Sequence, residues 1–246
     1  MTPTRKFQKQ VPGLYQAMRR DPAEVAGQYA RIWEQKRFET KPKAKLRTEL
    51  FPSICFSRQI GVGAVEVADV LAKKIGHRVA DKLIIEEMAS HADVEHKTID
   101  YFDERYPGRA MELTAYLFGE KSFIMSNYMH GLMAVLYALA MSEPTIFVGR
   151  GAYLLLPRER VLAVRFVCSK AYRVRRVAKM SKISEGAAEK RLAELDREQA
   201  EFFKKLSGKK EPAPEEFDLL INADLIHDPA WAAEIVAAAF KCKFPD

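Results

Sequence analysis

The chain has 246 residues, 48% of them hydrophobic and 30% charged, the composition of an ordinary soluble protein with length for one α/β domain of substantial core plus an appendage. Its three cysteines, Cys55, Cys168 and Cys242, are odd in number and lack C-x-x-C spacing, which speaks against a disulfide framework or a cysteine metal site and for a reducing compartment. The formal charge of +7 is uneven, with 12 Lys/Arg against 5 Asp/Glu in residues 1–50 and 28 of each in residues 51–246.

Residues 1–50 read as a basic, partly helical extension broken by Pro12, Pro22 and Pro42. Asp21-Pro22 opens a helix through Ile32 and Trp33. Its Val25, Tyr29, Ile32 and Trp33 share one face, so it is expected to lie on the main domain or on a second copy of the chain, which is the basis for a homodimer. A basic arm is also the electrostatic footprint of a nucleic-acid binder. This arm has no glycine-rich or arginine-rich repeat, and a solvated surface is the plainer reading. The first residues are polar and basic with no apolar stretch behind them, so no secretory signal is expected and the cytoplasm is the expected location.

Residues 54–72 then run as strand, glycine turn and helix. The strand ends at Ser57-Arg58, Gly61 and Gly63 form the turn, and the helix Val65–Ile75 carries Val67, Val70, Leu71 and Ile75 on one face before Gly76 stops it. Such a turn brings backbone N–H groups close to anionic oxygens and adds the positive helix end. A full Walker A loop, G-x-x-x-x-G-K-[ST], would place Arg58 at its first glycine, Gly63 at its second, Ala64 at the lysine and Val65 at the hydroxyl. A bland tight turn between strand and helix is the alternative. A short second strand follows and ends at Asp81.

Residues 81–120 hold 10 Asp/Glu against 4 Lys/Arg. His91 and His96 stand at i, i+5, which does not place two imidazoles on one helical face, so no metal is assigned there. Residues 122–142 contain no acid, lysine or arginine. Ser126, Asn127, His130 and Gly131 interrupt them and Pro144 follows, so a helix buried against a sheet fits better than a membrane span. Thr145–Val148 is a buried strand ending in Gly149-Arg150-Gly151, and ligands bind outside the carboxyl ends of such strands. After a strand from Leu162 to Cys168, residues 160–210 hold 15 Lys/Arg against 6 Asp/Glu. A last strand, Asp218–Asn222, and a helix, Ala230–Phe240, close the chain.

These motifs resemble the cytidylate kinase-like family, relatives of the P-loop nucleoside monophosphate kinases that lack the Walker lysine. The resemblance rests on Ser57, Arg58, Gln59, Gly61 and Gly63 against S-R-[QE]-x-G-S-G-G. It continues through Asp81-Lys82, Ile85-Glu86-Glu87, Val148-Gly149-Arg150-Gly151-Ala152 and Phe217–Asn222, covering roughly residues 53–241. Val62 stands for the family's serine and Ala64 for its glycine. The resemblance implies a P-loop three-layer α/β/α sandwich over residues 51–246, with a parallel sheet of about five strands, an acceptor-binding helical insert over about 88–143 and a helical lid over about 178–212.

It also implies ATP-dependent phosphoryl transfer, with Mg²⁺, to a nucleoside monophosphate such as CMP or dCMP, or to a related small phosphorylated acceptor. Ser57, Arg58, Gln59, Gly61, Val62, Gly63, Ala64 and Val65 would hold the donor. Arg58 would replace the missing lysine, Arg150 would bind the acceptor phosphate, and Asp81 would orient the acceptor, Mg²⁺ or Arg58 unless it caps the next helix. Arg173, Arg176, Arg191 and Arg197 are lid candidates, with Arg58, Arg150 and Arg176 carrying the catalytic charge; guanidinium forks suit phosphate oxygens. The competing class is a kinase-fold sensor or scaffold, catalytically impaired and acting through the basic arm.

Overall fold

Short runs rich in apolar residues form the strands of the computed structural model, which describes residues 21–39, 50–90 and 127–245. β1 (Ser53–Arg58), β2 (Arg78–Asp81), β3 (Thr145–Val148), β4 (Val161–Val167) and β5 (Leu219–Asn222) make one parallel sheet in the order β2-β3-β1-β4-β5. Parallel neighbours require crossover connections, and helices supply those that lie within the described residues. The described α-helices are α1 (Pro22–Glu39), α2 (Ala64–Ile75), α3 (Lys82–Ser90), α4 (Asn127–Ser142), α5 (Ala152–Leu155), α6 (Lys170–Ser181), α7 (Glu185–Ser207) and α8 (Pro229–Lys243), of which α1 precedes the sheet and α8 follows it.

The sheet is buried on both faces, which explains why its strands do not alternate apolar with polar. One face, with Ile54, Phe56, Ile146, Val148, Leu162, Val164 and Phe166, packs on α2 and α8 through Ala68, Leu71, Val236 and Ala237. The other face carries Cys55, Ala80, Phe147, Val161 and Ala163 beneath α4 and α5. The small residues on that side leave room for α4, whose residues 132–140 are all buried, Tyr137 and Met133 among them. A helix apolar all round must be enclosed, and this one sits between the sheet, α1 and α3. Among the described residues no helix is long and apolar enough to cross a membrane.

Helix ends follow local chemistry. Gly76, with φ 70°, stops α2 in the left-handed region and sends its N–H to the Ala72 carbonyl. Ser169 and Ser184 cap α6 and α7 by accepting N–H bonds from Tyr172 and Ala187. Asp228 caps α8 with Pro229 in its first turn, and that helix runs to Lys243, a turn beyond the expected Phe240.

The helix expected in the basic extension is α1, and its apolar face is covered within the chain. Ala26, Tyr29 and Ala30 are buried, Val25 packs on the same core, and the helix lies on α3 and α4. Tyr29 Oη donates to the Val79 carbonyl at 3.0 Å, and the Arg78 guanidinium lies 5.0 Å from the Tyr29 ring centre. That packing covers Val25 and Tyr29, two of the four residues of the apolar face offered as the basis for a homodimer. The side chain of Trp33, residues 1–20 and 40–49, most of the expected acceptor-binding insert, His91 and His96 lie outside the described residues.

At the sheet edge away from β2, Asp218 ties three elements together. It accepts from Arg158 Nη1 at 2.8 Å, from Lys243 Nζ at 2.8 Å and from the Ala163 N–H at 2.7 Å. Partial burial works to raise its pKa, but these hydrogen bonds outweigh it and hold the carboxyl at about 2. A carboxyl depressed in the folded state adds stability above the ordinary carboxyl range and loses it as pH falls toward that value. Asp218→Asn should therefore lower the melting temperature at neutral pH, with the gap to the parent closing between about pH 5 and pH 2. A gap independent of pH would show that the charge contributes nothing. Tyr29→Ala should cost about 3–5 kcal/mol in urea unfolding and Tyr29→Phe about 1 kcal/mol, because the ring fills the core and the hydroxyl makes one hydrogen bond. Equal losses for the two variants would contradict the packing of α1.

Candidate active site

The register of the sheet brings the candidate residues together. Val148 pairs with Phe56 on one side and with Asp81 on the other, and Ser57 pairs with Arg165. Residues just past these positions therefore emerge side by side at the carboxyl ends of β1, β2 and β3: Arg58, Lys82 and Arg150. The Gly149 N–H donates to the Phe56 carbonyl at 2.9 Å, which fixes the Gly149–Gly151 turn against β1. α7 crosses above these ends. The cleft between them has a volume of about 570 Å³ and is lined by Ser57, Arg58, Gln59, Lys82, Arg150, Arg165, Arg173, Arg191 and other residues of α7.

Each arginine here is braced. Arg58 Nη1 donates to Gln199 Oε1 at 3.4 Å, and Gln199 Nε2 donates back to the Arg58 carbonyl at 2.8 Å. Burial lowers the Arg58 pKa, nearby Arg165 adds to this, and Asp81 opposes it. Arg150 pairs with Glu86, and its guanidinium lies 4.5 Å from the Phe202 ring centre. Burial, helped by the charge of Arg58, brings its pKa down to about 10. Arg150 holds a φ of 52°, in the left-handed region that a side chain with a Cβ rarely adopts. Arg165 Nη1 donates to Ser57 Oγ at 2.7 Å.

The lid candidates divide. Arg173 is buried and donates to both carboxylate oxygens of Asp196, at 2.7 and 2.9 Å, and to the Ile60 carbonyl at 3.3 Å, tying α6 to α7 and to the loop. Arg176 pairs with Glu66. Arg191 lines the cleft and pairs with Glu194 at 2.9 Å. Arg197 is exposed and is not part of the lining. Asp81 caps α3, accepting from Leu83 N–H at 3.0 Å and Ile84 N–H at 3.1 Å while it faces the charge of Arg58.

The loop is arranged differently from the cleft. Ser57, Arg58 and Gln59 line the cleft, but Gly61, Val62, Gly63, Ala64 and Val65 do not. Val62, Ala64 and Val65 are buried against the sheet with α2. Ala64 begins α2 and needs no positive φ, so alanine is accommodated without strain. The glycines serve close packing: a Cβ at Gly61 would stand 3.0 Å from Val177 of α6, and a Cβ at Gly63 would stand 3.3 Å from the Arg176 guanidinium and from Glu66 Oε2. Among the described residues, no group of three or more His, Cys, Asp and Glu could hold a metal ion.

Sequence reasoning missed Lys82, Arg165 and Gln199. Arg165 had a signal, being the one charge inside the apolar run Val161–Val167. Lys82 had only its place after Asp81, and Gln199 had none, since it stands among polar residues on a long helix.

A parallel sheet in this order, flanked by helices and carrying its cations at the strand ends beside a glycine loop, defines a kinase-type α/β protein of the P-loop fold. The chain belongs to the cytidylate kinase-like family, whose model matches residues 53–225. Among solved structures, an uncharacterized protein from Eubacterium ventriosum ATCC 27560 is similar at 17% identity and TM-score 0.60, over 79% of this chain and 99% of that one. Shikimate kinase from Bacteroides thetaiotaomicron gives 16% identity and TM-score 0.38, over 77% of this chain and 95% of that one. Dephospho-CoA kinase from Campylobacter jejuni gives 15% identity and TM-score 0.35, over 78% of this chain and 98% of that one. No curated protein matches the chain.

Proposed function

We propose that this protein transfers a phosphoryl group from ATP to a nucleoside monophosphate, such as CMP or dCMP, or to a related small phosphorylated acceptor. One observation carries the reading: buried or half-buried cations from the ends of β1, β2 and β3 line one cleft beneath a helical cover. An acceptor phosphate oxygen would attack the γ-phosphorus while the bond to the β–γ bridging oxygen breaks, and ADP leaves. Catalysis of this kind is positioning plus stabilisation of charge on the transferred group. Arg150 would hold the acceptor phosphate, with Asp81 setting the charge balance at Arg58. Arg58, which leads into the loop, would face the donor in place of the missing lysine.

The loop can take donor phosphates with one adjustment. The first turn of α2 leaves N–H groups without helical partners, but Glu66 Oε2 is buried beside Gly63 without a hydrogen bond among the described residues. Moving that carboxylate aside would free Arg176 for phosphate oxygens, with Arg173 keeping the two lid helices in register. A role for Arg197 requires further closure of α7. Mg²⁺ would arrive on the donor phosphates, since such ions take few protein ligands, and it would supply charge neutralisation there.

The second reading is a sensor that binds nucleotide without turnover, and the Arg176–Glu66 pair at the glycine loop favours it. In this reading the basic arm acts through residues 1–20 and 40–49, since α1 is packed on the core, and a homodimer would have to rest on those segments too. Release of ADP in the presence of ATP and CMP, absent with either alone, separates the two.

Calorimetric titration tests the assignment of the two arginines. Arg150→Ala should weaken CMP binding by about 2–4 kcal/mol and change ATP binding little, the order expected when one partner of a buried charged pair is removed. Arg58→Ala should weaken ATP more than CMP. If Arg150 serves only its pair with Glu86, the alanine variant would instead melt several degrees lower and weaken both ligands together.

A further inference from the structure

Lys82 is a partly buried cation of the cleft that has no hydrogen-bond or ion-pair partner among the described residues. Arg58, Arg150 and Arg165 are braced by Gln199, Glu86 and Ser57 respectively. The Lys82 ammonium, on the first residue of α3, lines the same cleft and makes no hydrogen bond or ion pair among the described residues. Burial lowers its pKa, Arg150 and Arg58 lower it further, and only Glu198 across the cleft opposes them. Next to it, the Nε–H of Arg150 is buried without an acceptor among the described residues.

Assembling cations with unmet donors is unfavourable, because each disfavours the charge of the next and each has lost water. The arrangement becomes favourable when an anion with several oxygens enters. A phosphate monoester brings nearly two charges and three strong acceptor oxygens, enough for an ammonium and a guanidinium at once. Position in the sheet distinguishes the two phosphates of the reaction. Lys82 follows β2, and β3 separates that strand from β1, whose end leads into the glycine loop. An anion held by Lys82 and Arg150 thus sits at the ends of β2 and β3, to one side of the strand that leads into the loop.

We infer that Lys82 is an acceptor-binding residue that holds, with Arg150, the phosphate monoester of the acceptor, and so selects phosphorylated acceptors over neutral ones. This rests on the proposed phosphotransfer. The test is calorimetric titration of the full chain, Lys82→Ala and Lys82→Arg with inorganic phosphate, CMP and ATP, together with the melting temperature of each without ligand. Lys82→Ala should weaken CMP and inorganic phosphate by roughly tenfold or more and leave ATP nearly unchanged. Lys82→Arg should keep most of the affinity. Without ligand, Lys82→Ala should melt no lower than the parent, because a repelling cation has been removed.

Unchanged affinity of Lys82→Ala for CMP and phosphate would overturn the inference and leave the phosphotransfer reading standing. Equal loss for ATP and CMP with a lowered melting temperature would make Lys82 structural and overturn it as well. A parent chain that binds neither monoester nor phosphate removes both readings.

Discussion

Mutual repulsion among cations at the carboxyl ends of the strands is the constraint on which the rest of this structure depends. Parallel strands deliver their ends to one side of the sheet, so Arg58, Lys82 and Arg150 converge there, and Arg165 of β4 lies beside them. Their pKa values are pulled down mainly by lost water. The protein tolerates this because α7 brings Gln199 and Phe202 over the cluster and α3 brings Glu86. α7 is in turn fixed by an apolar seam with α6, where Val174, Val177, Ala188 and Leu192 pack with Ile60 of the loop, and by the Arg173–Asp196 pair. The helical cover and the cation cluster are one mechanical unit.

The departures of the loop from its family pattern have a packing explanation. Val62 and Ala64 point their bulk into the layer between the sheet and α2, where a serine hydroxyl would find little water. The glycines that remain allow α6 to approach, with Val177 at Gly61 and Arg176 at Gly63. Packing and phosphate binding both ask for glycine at a tight turn, so the residue type alone does not distinguish them. In this structure the Glu66 carboxylate at the turn faces Arg176.

The basic extension contributes to the fold before any other role. Tyr29 reaches β2 at Val79 through its hydroxyl, and α1 covers α3 and α4, which would otherwise expose apolar surface. The charge excess of residues 1–50 and the packing of α1 are separable properties of one segment: Ala26, Tyr29 and Ala30 are buried, and most of the Lys/Arg stand outside Pro22–Glu39 in the sequence.

The sequence by itself determined the elements and their order, because each signal is local. Gly76 ends α2, the uncharged run 145–148 makes a buried strand, the apolar stretch before it makes an enclosed helix, and Arg150 between two glycines marks a strand end. The motifs from Ser57 to Asn222 were enough to identify the family. Tertiary structure decided which side chains meet. Arg176 and Glu66 are 110 residues apart, Arg58 and Gln199 are 141 apart, and Arg150 and Glu86 are 64 apart. Nothing in the composition of a polar helix shows that Gln199 rather than Arg197 faces the cleft, since that follows from how α7 is rotated on α6. Lys82 stays inconspicuous in sequence for the same reason: its ammonium becomes informative only when the sheet sets it beside two arginines and burial takes away its water.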